Sequence, residues 1–165
     1  MVLKNLLFYR LMIFNTLGIV GLAAGYWMCF IEMLMKHDAV GVIYGIAGLL
    51  AIGIFGSLNR GWKVSQGHND FKAGKGVDVV NVRKMFYKNE YIQNMAGWSV
   101  LIGLFGNALG LTEALSGGAD TLLAGAGIAF GSTVAGILVA LWLEINFSMI
   151  RTATGLLLED VSRKE

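Results

Sequence analysis

Thr133 and Glu144 stand eleven residues apart in an otherwise apolar run, and Asn107 interrupts a second one. A hydroxyl, an amide and a carboxylate spaced along apolar helices are the groups that could relay an ion or a proton through lipid, because ionisable and polar side chains there are costly and face a bundle interior or a wet cavity. Eleven residues of helix span roughly 16 Å, which puts Thr133 near mid-membrane when Glu144 is near the boundary. Glu144 also admits a plainer reading, as an interfacial carboxylate paired with Arg151 or a loop lysine. Glu113 and Glu32 fall at the outer ends of their runs and read as solvated rim residues. No run has a carboxylate at its centre, so a proton path would need an acid supplied by another chain.

Around these residues lie two stripes of small side chains. Ser99, Gly103, Gly106, Asn107, Gly110 and Ala114 recur at three- and four-residue spacing, which is one helical face. Gly125, Ala129, Ser132 or Thr133, Gly136, Ala140, Glu144, Ser148 and Arg151 form the second stripe. A glycine inside a helix costs roughly 0.5–1 kcal/mol relative to alanine, so the missing side chains must bring a return elsewhere. In lipid, small faces let helix backbones approach closely, and the plain reading of the first stripe is a packing seam with no transport role.

The elements that must position these residues are membrane spans. Of 165 residues 56% are hydrophobic and 15% charged, against roughly 25% charged in a soluble domain, and the mean hydropathy is +0.64. Glycine is frequent, at 23 residues, and proline is absent, so the glycines do not serve a disordered linker. Residues 11–35, 39–58, 92–115 and 121–143 are each long enough to cross a roughly 30 Å hydrocarbon core as a helix, the last continuing past Arg151. Runs of this length lack the alternation of barrel strands. The expected fold is an all-α integral membrane protein of four transmembrane helices, its first run a retained span and not a signal peptide.

Basic residues fix the expected orientation. Lys4 and Arg10 precede the first span, seven lysines and arginines fill residues 59–91, and Arg151, Arg163 and Lys164 close the chain, while the two short loops carry only Lys36. Both termini and the 59–91 segment are therefore expected in the cytoplasm. Three regions follow: an N-terminal hairpin over 1–58, a cytoplasmic loop and helix over 59–91, and a C-terminal channel-forming hairpin with a short tail over 92–165. Within the middle region, "QGHNDFKAGKG" reads as a flexible turn, and "VVNVRKMFYKNEYIQNM" reads as a helix extending the third span. Arg83, Lys84, Lys88 and Glu90 there form a charged face, either a contact surface for a driven partner or a solvated one. Bulky residues crowd the first pair of spans and small ones the second, which suggests that the first pair faces lipid and the second faces protein.

"GLFGNALGLTEAL" at 103–115 and "GIAFGSTVAGILVALW" at 127–142 resemble, in order, spacing and intervening loop, the two pore-helix motifs of the MotA/TolQ/ExbB proton-channel family. The resemblance covers roughly residues 95–150, and four spans with a cytoplasmic segment between the second and third look more like the flagellar-stator branch. It implies a homopentamer whose third and fourth spans form an inner ring around a dimer of a single-span partner carrying a transmembrane aspartate. It implies that Thr133 faces the pore, with Asn107, Ser132 and Glu144 on the ion path. Gly103, Gly106, Gly110, Gly136 and Ala140 would be the packing positions, with Gly103, Gly106 and Gly110 leaving room for the partner's helix. Asn107 stands where many members have threonine, and Trp142 where proline often occurs, so the fourth helix should be straighter here. The function so implied is that of an ion-conducting, proton-motive-force-driven rotary motor subunit in the cytoplasmic inner membrane of a bacterium, or phage-encoded. The rivals are a non-conducting oligomeric scaffold and a holin-like small channel that would leak ions alone.

Other chemistries find no support. A net charge of +2 argues against nucleic acid as the main partner. In "GHNDFKAGKG" Gly67 and Gly74 are wrongly spaced for a phosphate loop, and no Ser or Thr follows Lys75. His37 and His68 are isolated on expected loops with no Cys or carboxylate at metal-ligand spacing, Cys29 is the single cysteine, and no nucleophile–base pair can be argued. No enzyme activity, metal or cofactor is expected.

Overall fold

A computed structural model describes residues 6–28, 41–116 and 119–164 of the chain. Glu32, Lys36, His37 and Cys29 lie outside them. The described residues form five helices: α1 (Leu7–Trp27), α2 (Val42–Lys72), α3 (Val79–Lys88), α4 (Glu90–Leu115) and α5 (Ala119–Ser162). Four stretches are long and apolar enough to cross a membrane: α1, α2, α3 with α4, and α5. The all-α, four-span expectation is met at this level.

Two helices extend well beyond the apolar runs. α2 continues through the polar residues 59–72, where a flexible turn was expected at 66–76. It ends in a paired carbonyl-capping motif: Gly74 adopts a left-handed φ of 72°, its N–H donates to the Phe71 carbonyl, and the Lys75 N–H donates to that of Asp70. Only residues 73–78 then turn, before Asp78 caps α3 by accepting the Val80 N–H at 2.9 Å. α3 runs into α4 across Asn89, whose backbone stays helical. α5 is continuous for 44 residues, roughly 66 Å.

α5 packs against every other helix, and it is the most buried of the four spans, whereas α1 is the least. The main core gathers Leu11 of α1, Ile46 of α2, Ile92 of α4, and Leu143 and Ile150 of α5. A second cluster, Val82, Leu157 and Val161 with Phe71 packed against it, joins the ends of α2 and α5 to α3.

The basic residues collect at one end of this bundle. Leu11 packs where Gly61 has no side chain, the Phe8 N–H donates to the Ser65 hydroxyl, and His68 meets the Ala153 carbonyl. These contacts bring the levels of Arg10, Arg60, Lys63 and Arg151 together. α3 and the second cluster lie beyond that layer.

Candidate functional site: the seam and free edge of α4 and α5

Both small-residue stripes are buried against each other. A Cβ placed on Gly110 would lie 2.5 Å from the Ala129 nitrogen and the Gly125 carbonyl oxygen, and one on Gly103 would lie 2.8 Å from the Ser132 carbonyl oxygen. The relation is reciprocal, since a Cβ on Gly136 would lie 2.6 Å from the Ser99 carbonyl oxygen. Gly106 fits against the side chains of Ser132 and Val42. Backbone meets backbone along this seam, so the room left by Gly103, Gly106, Gly110 and Gly136 is filled by the chain's own neighbouring helix. That corrects the expectation that it is left for a partner's helix. Ala140 is half-buried at the edge of the seam.

The second stripe accordingly divides. Gly125, Ala129, Ser132 and Gly136 belong to the seam. Ser132, expected on the ion path, is 1% exposed, with its hydroxyl donating to the Ile128 carbonyl at 2.8 Å. Thr133, Ala140, Glu144 and Arg151 follow at steps of seven, four and seven residues, one face along the rim of the seam. Thr133 is half-buried and Glu144 exposed. Trp142, two residues before Glu144 and thus roughly 200° around the helix, faces α1. The face carrying Thr133 and Glu144 is therefore turned away from α1.

Asn107 lies on the same rim. Gly106 meets Ser132 across the seam, and in antiparallel helices the residue following each contact is displaced to the same side. Asn107 and Thr133 are those residues, at one level. Asn107 is half-buried and its amide makes no hydrogen bond among the described residues. Thr133 gives its hydroxyl proton to the Ala129 carbonyl at 2.9 Å, which leaves the oxygen as an acceptor.

Glu144 stands near the level of Gly53 in α2. Its neighbour Leu143 packs where Gly53 lacks a side chain, and Arg60 is seven residues further along α2, roughly 10 Å towards the basic end. No described residue forms an ion pair with Glu144. Arg151 instead lies 5.7 Å over the rings of both Phe86 and Phe147. Glu113 is half-buried near the end of α4, and Arg83, Lys84, Lys88 and Glu90 are all exposed around α3.

One polar node escaped the sequence reading. Asn15 of α1 and Asn146 of α5, both buried, bond each other through their amides, and the Trp142 indole N–H donates to Asn15 Oδ1 at 2.9 Å. The remaining amide protons go to the Leu11 and Trp142 carbonyls. The Trp142 ring lies against Gly18, where a side chain on α1 would keep it out. An asparagine inside each of two apolar runs was the available signal, since such groups seek partners across helices. A further buried pair, Asn89 Nδ2 to Thr154 Oγ1 at 3.1 Å, ties the α3–α4 junction to α5.

No family model, curated protein or solved structure matches the chain.

Proposed function

We propose that the chain is the ring-forming, proton-conducting subunit of a proton-motive-force-driven rotary complex, five copies surrounding a dimeric single-span partner in a bacterial or phage-encoded inner membrane. The observation that carries this reading is the shared rim: Asn107, Thr133 and Glu144 lie along one edge of the α4–α5 pair, and Thr133 and Glu144 face away from α1. With α1 and α2 towards lipid, that edge lines the interior of a ring.

The groups on the rim suit two states of a partner carboxyl. Thr133 Oγ1, its own proton committed to Ala129, accepts a hydrogen bond from a protonated acid and has none to offer a carboxylate. The uncommitted Asn107 amide can donate to the ionised form at the same level. Neutralising the aspartate removes the cost of a charge in lipid and permits a step of rotation. The released proton then travels through water towards Glu144 and the cytoplasm.

Coexpression with a neighbouring single-span gene product, followed by measurement of mass and rotational symmetry, tests the assembly. A five-fold ring with two central helices is expected, and a monomer or an empty ring of another order overturns it. Thr133→Val should lower ion flux with the ring intact, and unchanged flux removes the pore role. The rival reading, a non-conducting scaffold, draws support from the seam, since the small stripes are consumed within the chain and the free surface carries Leu104, Phe105, Ile137 and Leu141. It predicts wild-type behaviour for substitutions at Thr133 and Glu144.

A further inference from the structure

Where the first turns of α1 and the last of α2 meet α5, a groove of about 520 Å³ opens at the basic end of the bundle. Arg10, His68 and Lys72 line it, and among the described residues no carboxylate does. Arg10 and Lys72 are exposed and have no ion-pair partner among the described residues. Other cations at this end are either engaged, as Arg60 over Tyr91, Arg151 over Phe86 and Phe147, Lys164 over Phe71 and Lys75 with Asp70, or exposed outside the groove, as Lys63, Arg83, Lys84 and Lys88. His68 is 7% exposed and held in place, its Nε2–H donating to the Ala153 carbonyl at 2.9 Å. A carbonyl only accepts, so Nε2 carries the proton.

The rest of the lining combines the hydroxyls of Ser148 and Thr152 with apolar side chains, including Leu7 and Met149. The apolar surface also continues out of the groove towards the membrane. Leu17 is seven residues beyond Arg10 on the same face of α1, and Ile145 is seven before the groove-lining Thr152 on α5. They are 66% and 45% exposed, and both lie two turns nearer the bilayer centre. Asn15 and Asn146 hold α1 and α5 together at that depth. The arrangement is cationic where the bilayer ends and greasy above it.

We propose that this groove binds an anionic glycerophospholipid, its phosphate held between Arg10 and Lys72 beside His68 and an acyl chain lying along Leu17 and Ile145. Basic pockets between spans at the charged face of a membrane bind such headgroups. A zwitterionic headgroup fits less well, since its ammonium would meet the same two cations. The inference rests on the membrane reading alone and does not require ion conduction.

The test is native mass spectrometry of the detergent-solubilised chain titrated with phosphatidylglycerol, phosphatidylethanolamine of the same acyl length, and millimolar inorganic phosphate as competitor. One phosphatidylglycerol per chain is expected, with phosphatidylethanolamine about tenfold weaker or worse and no displacement by phosphate. The Arg10→Gln/Lys72→Gln double variant should bind about thirtyfold more weakly. Lys63→Gln, an exposed basic site outside the groove, should bind normally. Both changes fall on exposed side chains, and unchanged helicity and thermal unfolding confirm that the variants fold. Equal binding by the double variant, or equal retention of phosphatidylethanolamine, overturns the proposal. Displacement by inorganic phosphate overturns it too, by showing a soluble-anion site that ignores the acyl chain.

Discussion

Asn15 and Asn146, 131 residues apart in sequence, exchange hydrogen bonds in both directions: Asn15 Nδ2 reaches Asn146 Oδ1 at 2.8 Å, and Asn146 Nδ2 reaches Asn15 Oδ1 at 3.1 Å. α1 is the least buried span, and this exchange is its polar anchor on α5. Asn15→Leu strands the Trp142 N–H and the Asn146 amide, for an expected loss of about 1–3 kcal/mol. Replacing both asparagines by leucine should recover part of that loss, with a coupling energy of about 1 kcal/mol in an SDS-unfolding double-mutant cycle. Additive effects would show that the pair carries no stability of its own.

The seam makes a sharper prediction because its close contacts are with backbone. Gly110→Ala and Gly125→Ala must push α4 and α5 apart, at an expected cost of about 1–3 kcal/mol each. Gly97 is exposed with open space around it, so Gly97→Ala should be neutral or stabilising by several tenths of a kcal/mol. Thermal aggregation of the three purified variants checks the order, and equal behaviour would contradict the packing.

Glu144 distinguishes a wet interior from lipid. If it faces the ring interior, Glu144→Gln lowers proton flux and leaves stability within about 0.5 kcal/mol. On a lipid-facing surface the same change removes a charge from hydrocarbon and should stabilise by about 1–2 kcal/mol, with no effect on flux. Flux into proteoliposomes, measured beside detergent unfolding, separates the outcomes.

Leu157 tests the second cluster, at the basic end. It is fully buried against Val82 and Val161 and occupies the space where Gly67 lacks a side chain. Leu157→Ala leaves a cavity costing about 2–5 kcal/mol. α3 should loosen first, so limited proteolysis in residues 73–78 should quicken while the spans stay protected. Unchanged cleavage would mean that α3 is held by other contacts.

The spans were legible because composition over twenty residues leaves few alternatives in lipid. The path of α2 beyond residue 58 was not, because its buried side there is written in Gly61, Val64, Ser65 and His68, at helical spacing but with Val64 alone to give an apolar signal. The seam was half legible. Spacing put Gly103, Gly106 and Gly110 on one close-packing face, but a small face does not say whose helix fills it. Thr133 and Ser132 show the finest limit: adjacent residues of similar chemistry, one on the rim and one sealed beneath Gly106, separated by a rotation of about 100° that depends on where α4 lies. Asn15 and Asn146 could be flagged singly, yet nothing local pairs them.

α5 joins all of these features as one unbroken rod. Gly136 is its point of closest approach to Ser99, and Leu157 is its anchor in the second cluster, 21 residues on and roughly 32 Å away. Transmitted along the unbroken helix, a tilt of about 5° at the seam would swing Leu157 by roughly 3 Å. Movement at the seam and displacement of the charged surface around α3 would then be two ends of a single lever.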